Sequence, residues 1–305
     1  MAANVLIAGA TGFVGGRLAA SLQGSGARIR CLVRDREKAR RLEASGAELH
    51  VGDVTDARSL EGAGAGIGIA YFLVHSMAGG EGFAERERRG AAEFARMAKR
   101  EGVGRVVYLG GLGEEGTSPH LRSRHEVARA LSEEGPPLTY FRAAMVVGAG
   151  SESYRTLRHL VGRLPVMVAP AWLRTPTQPI GIDATVEYLR RAPDVPESAG
   201  REVQVGGPDV LAYDEMLDRM AVAMGKRRPP KLRLPLLTPW LSALWLGLVT
   251  PVDTKVARPL VEGLTTPTVV TDPSGAEPFG ISPEPFDEAL RRALAEEGFR
   301  KGRGG

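Results

Sequence analysis

The feature that most constrains the fold of this chain is a glycine-rich turn near its beginning. A short apolar run, Val5 to Ala8, leads into Gly9, Gly12 and Gly15, and residues with helical apolar spacing follow. The predicted order is therefore strand, tight turn and helix. Such a turn directs backbone N–H groups and the start of a helix at one point, where a pyrophosphate can bind. The sequence thus predicts a dinucleotide site at this turn.

Apolar runs and helical patterns alternate through the first half of the chain. The predicted strands are Val5–Ala8, Arg28–Val33, Glu48–Val51, Ile67–Val74, Arg105–Leu109 and Leu138–Phe141. The predicted helices are Phe13–Gln23, Arg36–Glu43, Phe83–Arg100 and Pro119–Glu133. This alternation predicts an α/β protein with a doubly wound, parallel Rossmann sheet and helices on both faces.

The pattern changes after about residue 149, where proline becomes frequent and the elements shorten. A helix is expected over Ile180–Arg190, capped by Asp183, and later a strand over Glu202–Val205 and a helix over Tyr213–Met224. We therefore expect a Rossmann domain over residues 1–150 and a smaller C-terminal substrate-side lobe over 151–296. The polar, glycine-rich segment 297–305 is expected to be a mobile tail.

Composition narrows the classes of function. A net charge of +4 and an aromatic content of 6% argue against a nucleic-acid binder. Cys31 is the single cysteine of the chain, so an internal disulfide and a cysteine metal site are excluded. It lies in a predicted strand and is expected to be a buried thiol. No metal site is expected. The sequence shows no secretory signal and no apolar run long enough to span a membrane, so a cytoplasmic location is expected.

Residues at the ends of three further strands fit a dinucleotide. Arg34 follows the second strand, where an arginine can pair with the 2′-phosphate of NADP, whereas a carboxylate there favours NAD. The neighbouring Asp35 leaves NAD open, although capping the next helix is its expected role. Asp53 follows the third strand and could meet the adenine amino group. Leu73 to His75 end the fourth strand, beneath the expected nicotinamide ribose.

The segments GATGFVGGRL, LVRDREKA, GDVTD, YFLVHSM, VVYLGGLG, HLRSRHEV, YFRAAMVVGAGS and VGGPDVLAYDEM occur in collinear order over residues 3 to 225. In this the chain resembles the atypical short-chain dehydrogenase/reductases, in the NAD(P)-binding branch that holds NmrA-like and epimerase/dehydratase-like proteins. The resemblance implies a bound NADP or NAD. It assigns the cofactor contacts to Gly9, Thr11, Gly12, Phe13, Val14, Gly15, Arg34, Asp53, Val54, Leu73, Val74 and His75.

The chain departs from that family at the catalytic residues. Redox members of the family carry a Ser or Thr after the fifth strand and then Tyr-x-x-x-Lys, whereas residues 109–113 here read Leu-Gly-Gly-Leu-Gly. Thr117 and Ser118 come later, on a predicted loop. Alignment places His120 at the tyrosine position and Arg124 at the lysine position.

These two residues set the catalytic hypothesis. Arg124 could hold a ribose but cannot titrate near neutral pH. His120 could act as acid and base, or could only begin a helix, and His125 is a rival for the catalytic role.

Other polar residues have open interpretations. Arg142 could face the substrate, or could be a buried arginine paired with Asp183 or Glu187. The charges at residues 85–89 are expected to form a solvated helix face, or less readily a dimer contact.

A basic run at residues 226–228 precedes a tryptophan-rich stretch that ends at residue 251. Residues 226–251 could contact an anionic membrane peripherally, but packing against the Rossmann domain is favoured.

Two functions remain at this stage. The first is an NADP(H)-dependent oxidoreductase or epimerase/dehydratase acting on a small, lipid-like or quinone-like carbonyl compound. The second is a non-catalytic redox sensor that binds NADP and acts through a protein partner. The missing hydroxyl and tyrosine favour the sensor, while an apolar C-terminal lobe that could enclose a substrate favours the enzyme.

Overall fold

A parallel sheet of seven strands organises the described part of the molecule. The computed structural model describes residues 3–75, 82–113, 119–163, 167–233 and 265–299. The strands of this sheet are β1 (Val5–Ala8), β2 (Ile29–Val33), β3 (Glu48–Val51), β4 (Ile69–Phe72), β5 (Arg105–Gly111), β6 (Leu138–Ala143) and β11 (Glu202–Val205). They lie in the order β11-β6-β5-β4-β1-β2-β3.

All neighbouring strands of this sheet run parallel, so their carboxyl ends share one edge. The predicted doubly wound Rossmann fold is confirmed. The strand order reverses between β1 and β4, which is where a ligand crevice is expected in such a sheet.

Helices lie on both faces of the sheet, and further helices form a separate core in the second half of the chain. They are α1 (Phe13–Ser21), α2 (Arg40–Ala44), α3 (Phe83–Arg100), α4 (Pro119–Glu134), α5 (Glu152–Arg163), α6 (Ile182–Arg191), α7 (Tyr213–Ala223) and α8 (Phe286–Glu296). The described strands outside this sheet have two or three residues each: β7 (Val146–Val147), β8 (Met167–Ala169), β9 (Pro176–Thr177), β10 (Ile180–Gly181), β12 (Leu211–Ala212) and β13 (Lys231–Arg233).

Each face of the sheet has its own hydrophobic core. On one face, Leu18 of α1 and Leu189 of α6 pack against alternate strand residues such as Ile7, and Cys31 belongs to this core. On the other face, Phe94 of α3 and Leu131 of α4 are fully buried. Burial raises the pKa of the Cys31 thiol to about 11, as expected for a packed cysteine.

A third core belongs to the second half of the chain. It joins α5, α7 and α8, with Tyr154, Met216 and Leu290 fully buried. Segments beyond residue 150 nevertheless also complete the Rossmann layers, because β11 pairs with β6 and α6 packs beside α1. The division of function between residues 1–150 and 151–296 stays a prediction.

The beginning of the predicted tail is packed in the structure. Glu297 accepts a hydrogen bond from the Tyr154 hydroxyl and pairs with Arg158, and Phe299 contacts the third core. Residues 300–305 lie outside the described residues.

Several element boundaries differ from the sequence prediction. β5 and β6 each extend two residues further, and α2 begins at Arg40 rather than at residue 36. The Asp35 carboxylate accepts hydrogen bonds from the backbone N–H groups of Glu37 and Lys38, which holds that segment in a turn.

The predicted cap of α6 is wrong. Gly181 is the residue that precedes the helix, without a side-chain cap, and Asp183 instead pairs with Arg292 of α8.

Candidate functional site

The glycine turn between β1 and α1 is as tight as the sequence predicts. Gly9 has φ +91°, and a Cβ atom there would lie 2.5 Å from the carbonyl oxygen of Leu73. A Cβ at Gly15 would lie 2.2 Å from the carbonyl oxygen of Gly9. Only glycine fits at these two positions, because the turn, the helix and the end of β4 approach one another through their backbones.

The start of α1 offers N–H groups to a ligand. Gly12 precedes the helix and provides no side-chain cap, and the first turn contains no acidic residue. Thr11 and Gly12 are exposed, and Val14 is half-buried. Phe13 turns away to lie against Gly148 and Gly150, with the Arg17 guanidinium 5.5 Å from its ring centre. The first-turn N–H groups thus remain available for an anion at the positive end of the helix dipole.

An exposed arginine marks the carboxyl end of β2. Arg34 makes no hydrogen bond or ion pair with any residue that the structure describes, but its charge influences Asp53 at the end of β3. Arg89 of α3 donates to the Thr55 carbonyl and also influences this carboxylate. Two guanidinium groups therefore flank one aspartate at this corner.

Asp53 is held by its own loop rather than directed outward. Its carboxylate accepts from the backbone N–H and the hydroxyl of Thr55, each at 2.8 Å. Burial raises the pKa of Asp53, but the Thr55 hydrogen bonds and the two nearby arginines outweigh it and lower the pKa overall. Asp53 is therefore ionised at neutral pH. The next residue, Val54, which the resemblance assigns as a cofactor contact, packs against Gly90 of α3.

The segment Leu73 to His75 follows β4 and continues past the glycine turn. The Nδ1 atom of His75 lies 3.4 Å from a carboxylate oxygen of Glu87, whose other oxygen accepts a 2.9 Å hydrogen bond from Ser123 of α4. This cluster joins β4, α3 and α4. Burial and then the charge of Arg124 lower the pKa of His75 to about 4, against the opposing effect of Glu87. The imidazole is therefore neutral at neutral pH.

Arg124, which aligns with the family's lysine, lies beside this cluster. It donates a 3.2 Å hydrogen bond to the Leu109 carbonyl at the end of β5 and also bonds to the buried Tyr108 hydroxyl. The side chain of the other predicted catalytic residue, His120, lies outside the described residues, as do Thr117 and Ser118. His125 is half-buried and meets the edge of the Tyr140 ring at 6.2 Å.

Arg142 does not pair with either of the carboxylates predicted for it. Its guanidinium pairs with Glu202 of β11 and donates to the carbonyls of Gly111 and Gly113. The predicted partners Asp183 and Glu187 bind other arginines. Arg142 thus binds the end of β5 and Gly113, and not the carboxylates predicted for it.

Sequence reasoning missed Glu87, which it placed on a solvated helix face. That expectation is right for Glu85 and Arg88, which pair at the surface, but the Glu87 side chain is only 11% exposed. Ser123, Tyr108 and Tyr140 were also missed. Their spacing along the chain gives no signal, because the fold brings them together from three separate elements.

Comparison with known proteins identifies the family. The sequence model of the NmrA-like family matches residues 1–188. The chain belongs to the NmrA-like family. This confirms the resemblance read from the sequence segments, and in this NmrA-like chain the matched region contains the glycine turn, Arg34, His75 and Arg124. No curated protein sequence matches the chain.

Solved structures share the fold over nearly the whole chain. The Citrobacter sp. triphenylmethane reductase complexed with NADP(H) has a TM-score of 0.75 at 18% identity, over 95% of this chain and all of its own. The Bordetella bronchiseptica enzyme WbmH in complex with NAD+ has a TM-score of 0.71 at 18% identity, over 98% of this chain and 100% of its own. A UDP-glucose 4-epimerase from Thermotoga maritima has a TM-score of 0.72 at 12% identity, over 97% of this chain and 98% of its own. At these identities the likeness establishes the fold of this NmrA-like chain.

The described helices do not include one that is both long and apolar enough to cross a membrane. The tryptophan-rich stretch lies within residues 234–264, outside the described residues, so both interpretations of it stay predictions.

Proposed function

We propose that this protein is an NADP(H)-dependent oxidoreductase that reduces a small or lipid-like carbonyl compound, quinones included. The observation that carries the cofactor choice is the exposed Arg34 beside the glycine turn, which pairs with no described carboxylate. A 2′-phosphate is the group that such a guanidinium binds best, because its oxygens match the planar fork of donors. The similar structures that hold NADP(H) and NAD+ support the class of cofactor.

The residues at the turn fit a dinucleotide. Gly9 and Gly15 leave no side chain over the turn, and the uncapped start of α1 can bind the pyrophosphate. Arg34 would hold the 2′-phosphate, with Arg89 nearby. When bound, the nicotinamide would supply the hydride for reduction of a carbonyl group.

The chain's own residues would orient the reacting end. Arg124 is fixed by the Leu109 carbonyl, and its guanidinium would hold a ribose or a developing negative charge. His75 is held at Nδ1 by Glu87 and would act as a neutral hydrogen-bonding group. His120 remains the proposed proton donor on sequence grounds, because an imidazole titrates in the right range.

Titration of NADPH and NADH by protein fluorescence tests the cofactor proposal. Replacing Arg34 by alanine is expected to weaken NADPH binding by about 10-fold to 100-fold, since a charge-assisted pair with phosphate is lost. NADH affinity is expected to stay within about 2-fold, because its ribose carries no phosphate.

Arg36→Ala is the matched control. Arg36 is also an exposed arginine after β2, but it pairs with Glu43. The Arg36→Ala variant is expected to bind NADPH and NADH as tightly as wild type does. Equal weakening of both cofactors by Arg34→Ala would contradict the 2′-phosphate assignment.

A sensor that binds NADP and acts through a partner protein is the second candidate. The absence of a hydroxyl at residues 109–113 favours it. Aldehydes, ketones and quinones incubated with NADPH separate the two functions. If the absorbance of NADPH at 340 nm falls with one of these compounds, and His120→Ala slows that fall, the enzyme is supported. If NADPH binds tightly but none of these compounds oxidises it, the sensor is supported.

A further inference from the structure

Tyr140 carries a buried hydroxyl that no described residue satisfies. The residue is 6% exposed, and its Oη atom has no hydrogen-bond partner among the described residues. Its ring stacks on Tyr108 with centres 5.3 Å apart. A buried hydroxyl without a hydrogen-bond partner is costly, so this group is a candidate to donate a hydrogen bond to a ligand.

The hydroxyl lies at the carboxyl edge of the sheet. Tyr140 pairs with Tyr108 in register, yet its Oη is beside Gly110, two residues nearer the carboxyl end of β5. A Cβ at Gly110 would lie 2.7 Å from Tyr140 Cε2 and 2.8 Å from its Oη. Glycine at 110 therefore leaves the space that the tyrosine hydroxyl fills, beside the stacked ring of Tyr108.

A second unsatisfied donor lies on the same face. The Nε atom of Arg124 is also buried without a hydrogen-bond partner among the described residues, while its Nη1 binds the Leu109 carbonyl. The Arg124 charge acts on both Tyr108 and Tyr140. The Arg124 Nε–H group can only donate and the protonated Tyr140 hydroxyl can also donate, so an oxygen atom that accepts hydrogen bonds is a ligand that suits both. Burial raises the pKa of Tyr140, which keeps its hydroxyl protonated.

We propose that Tyr140 is a catalytic residue whose hydroxyl, which lies beside Gly110 of β5, hydrogen-bonds the carbonyl oxygen of the substrate. Arg124 holds the ring pair in place through Tyr108. The assignment rests on the proposed reductase function and explains how a chain with no hydroxyl at residues 109–113 can bind a carbonyl group. It involves hydrogen bonding alone, with no proton transfer.

Binding of stable carbonyl mimics tests this assignment. Hexanamide and benzamide are titrated into the NADPH-loaded protein, because primary amides present a carbonyl oxygen and are not reduced. Tyr140→Phe removes one oxygen atom and keeps the ring stack. It is expected to weaken amide binding by about 10-fold or more while NADPH affinity stays within about 2-fold.

Tyr71→Phe is the matched control. It removes a buried hydroxyl from the neighbouring strand β4, where the group donates to the Leu189 carbonyl in the other core. Amide affinity is expected to stay unchanged in this variant. Equal amide affinity in wild type and Tyr140→Phe, or no amide binding to the loaded protein, overturns the Tyr140 assignment alone. Failure of wild type to bind NADPH overturns the proposed function instead.

A stability measurement checks the geometry without any ligand. Gly110→Ala is expected to lower the midpoint of thermal unfolding in the wild-type background, because the added Cβ meets the Tyr140 ring. The loss is expected to shrink to less than half in a Tyr140→Leu background. The same loss in both backgrounds would show that Tyr140 does not fill the space beside Gly110.

Discussion

At the residue scale, burial beside Glu87 controls the charge of His75. The His75 pKa falls from its ordinary value of 6.5 to about 4 because the folded protein desolvates the ring and places Arg124 nearby. Between these two pH values the unfolded chain binds a proton that the folded chain does not. This histidine therefore contributes stability that is complete above pH 6.5 and is lost as pH falls toward 4.

This difference gives a measurable pH dependence. Lowering the pH from 6.5 to 4.5 is expected to reduce the free energy of unfolding through His75 by roughly 2 kcal/mol, at about 1.4 kcal/mol per pH unit. Urea unfolding of wild type and His75→Gln at several pH values isolates this contribution, since other groups titrate in both. The stability of the variant should therefore fall less steeply than that of wild type. Parallel curves would show that His75 is not desolvated.

At the element scale, the contact between turn and helix depends on single glycines. A Cβ at Gly15 would lie 2.2 Å from the Gly9 carbonyl oxygen, whereas one at Gly16 would lie 3.3 Å from the Ala10 carbonyl oxygen. The first distance forces β1 and α1 apart, and the second needs a shift of only a few tenths of an ångström. The two neighbouring glycines of α1 therefore differ in what they tolerate.

Alanine at each position tests that difference. Gly15→Ala is expected to cost roughly 3 kcal/mol or more of unfolding free energy and to weaken NADPH binding strongly. Gly16→Ala is expected to stay within about 1 kcal/mol of wild type, because alanine also favours the helix. Denaturant titration compares the two variants. Equal stability would mean that the turn is looser than the structure shows.

At the scale of the whole molecule, the second half of the chain completes the first. β11 extends the sheet beside β6, and the Arg17 guanidinium of α1 pairs with Glu296 of α8. The third core, around Leu290, is thus tied to the Rossmann layers by this ion pair and by the pair between Asp183 of α6 and Arg292 of α8. We therefore expect the Rossmann layers and the C-terminal lobe to unfold together.

A core substitution tests this coupling. Leu290 is fully buried in the third core, and Leu290→Ala is expected to cost about 2–5 kcal/mol of unfolding free energy. The loss should move one cooperative transition, seen alike by far-ultraviolet circular dichroism and by tyrosine fluorescence. A new, earlier transition limited to part of the signal would show that the lobe unfolds on its own.

The sequence alone was sufficient to predict features that depend on residues close together along the chain. The glycine turn, the strands β1 and β3 and the position of Arg34 follow from contiguous patterns, because backbone sterics and hydrophobic periodicity act over a few residues. The family resemblance also follows from contiguous segments. The same segments align Arg124 with the family's lysine.

Only the tertiary structure decided which distant groups meet. In the folded protein Glu87 is buried against His75, and the Tyr140 hydroxyl lies beside Gly110. Arg142 forms an ion pair with Glu202, and Asp183 forms one with Arg292. The physical reason is that the partner of a charge or a hydroxyl depends on the packing of separate elements, and a helical charge pattern looks the same whether one member is solvated or buried.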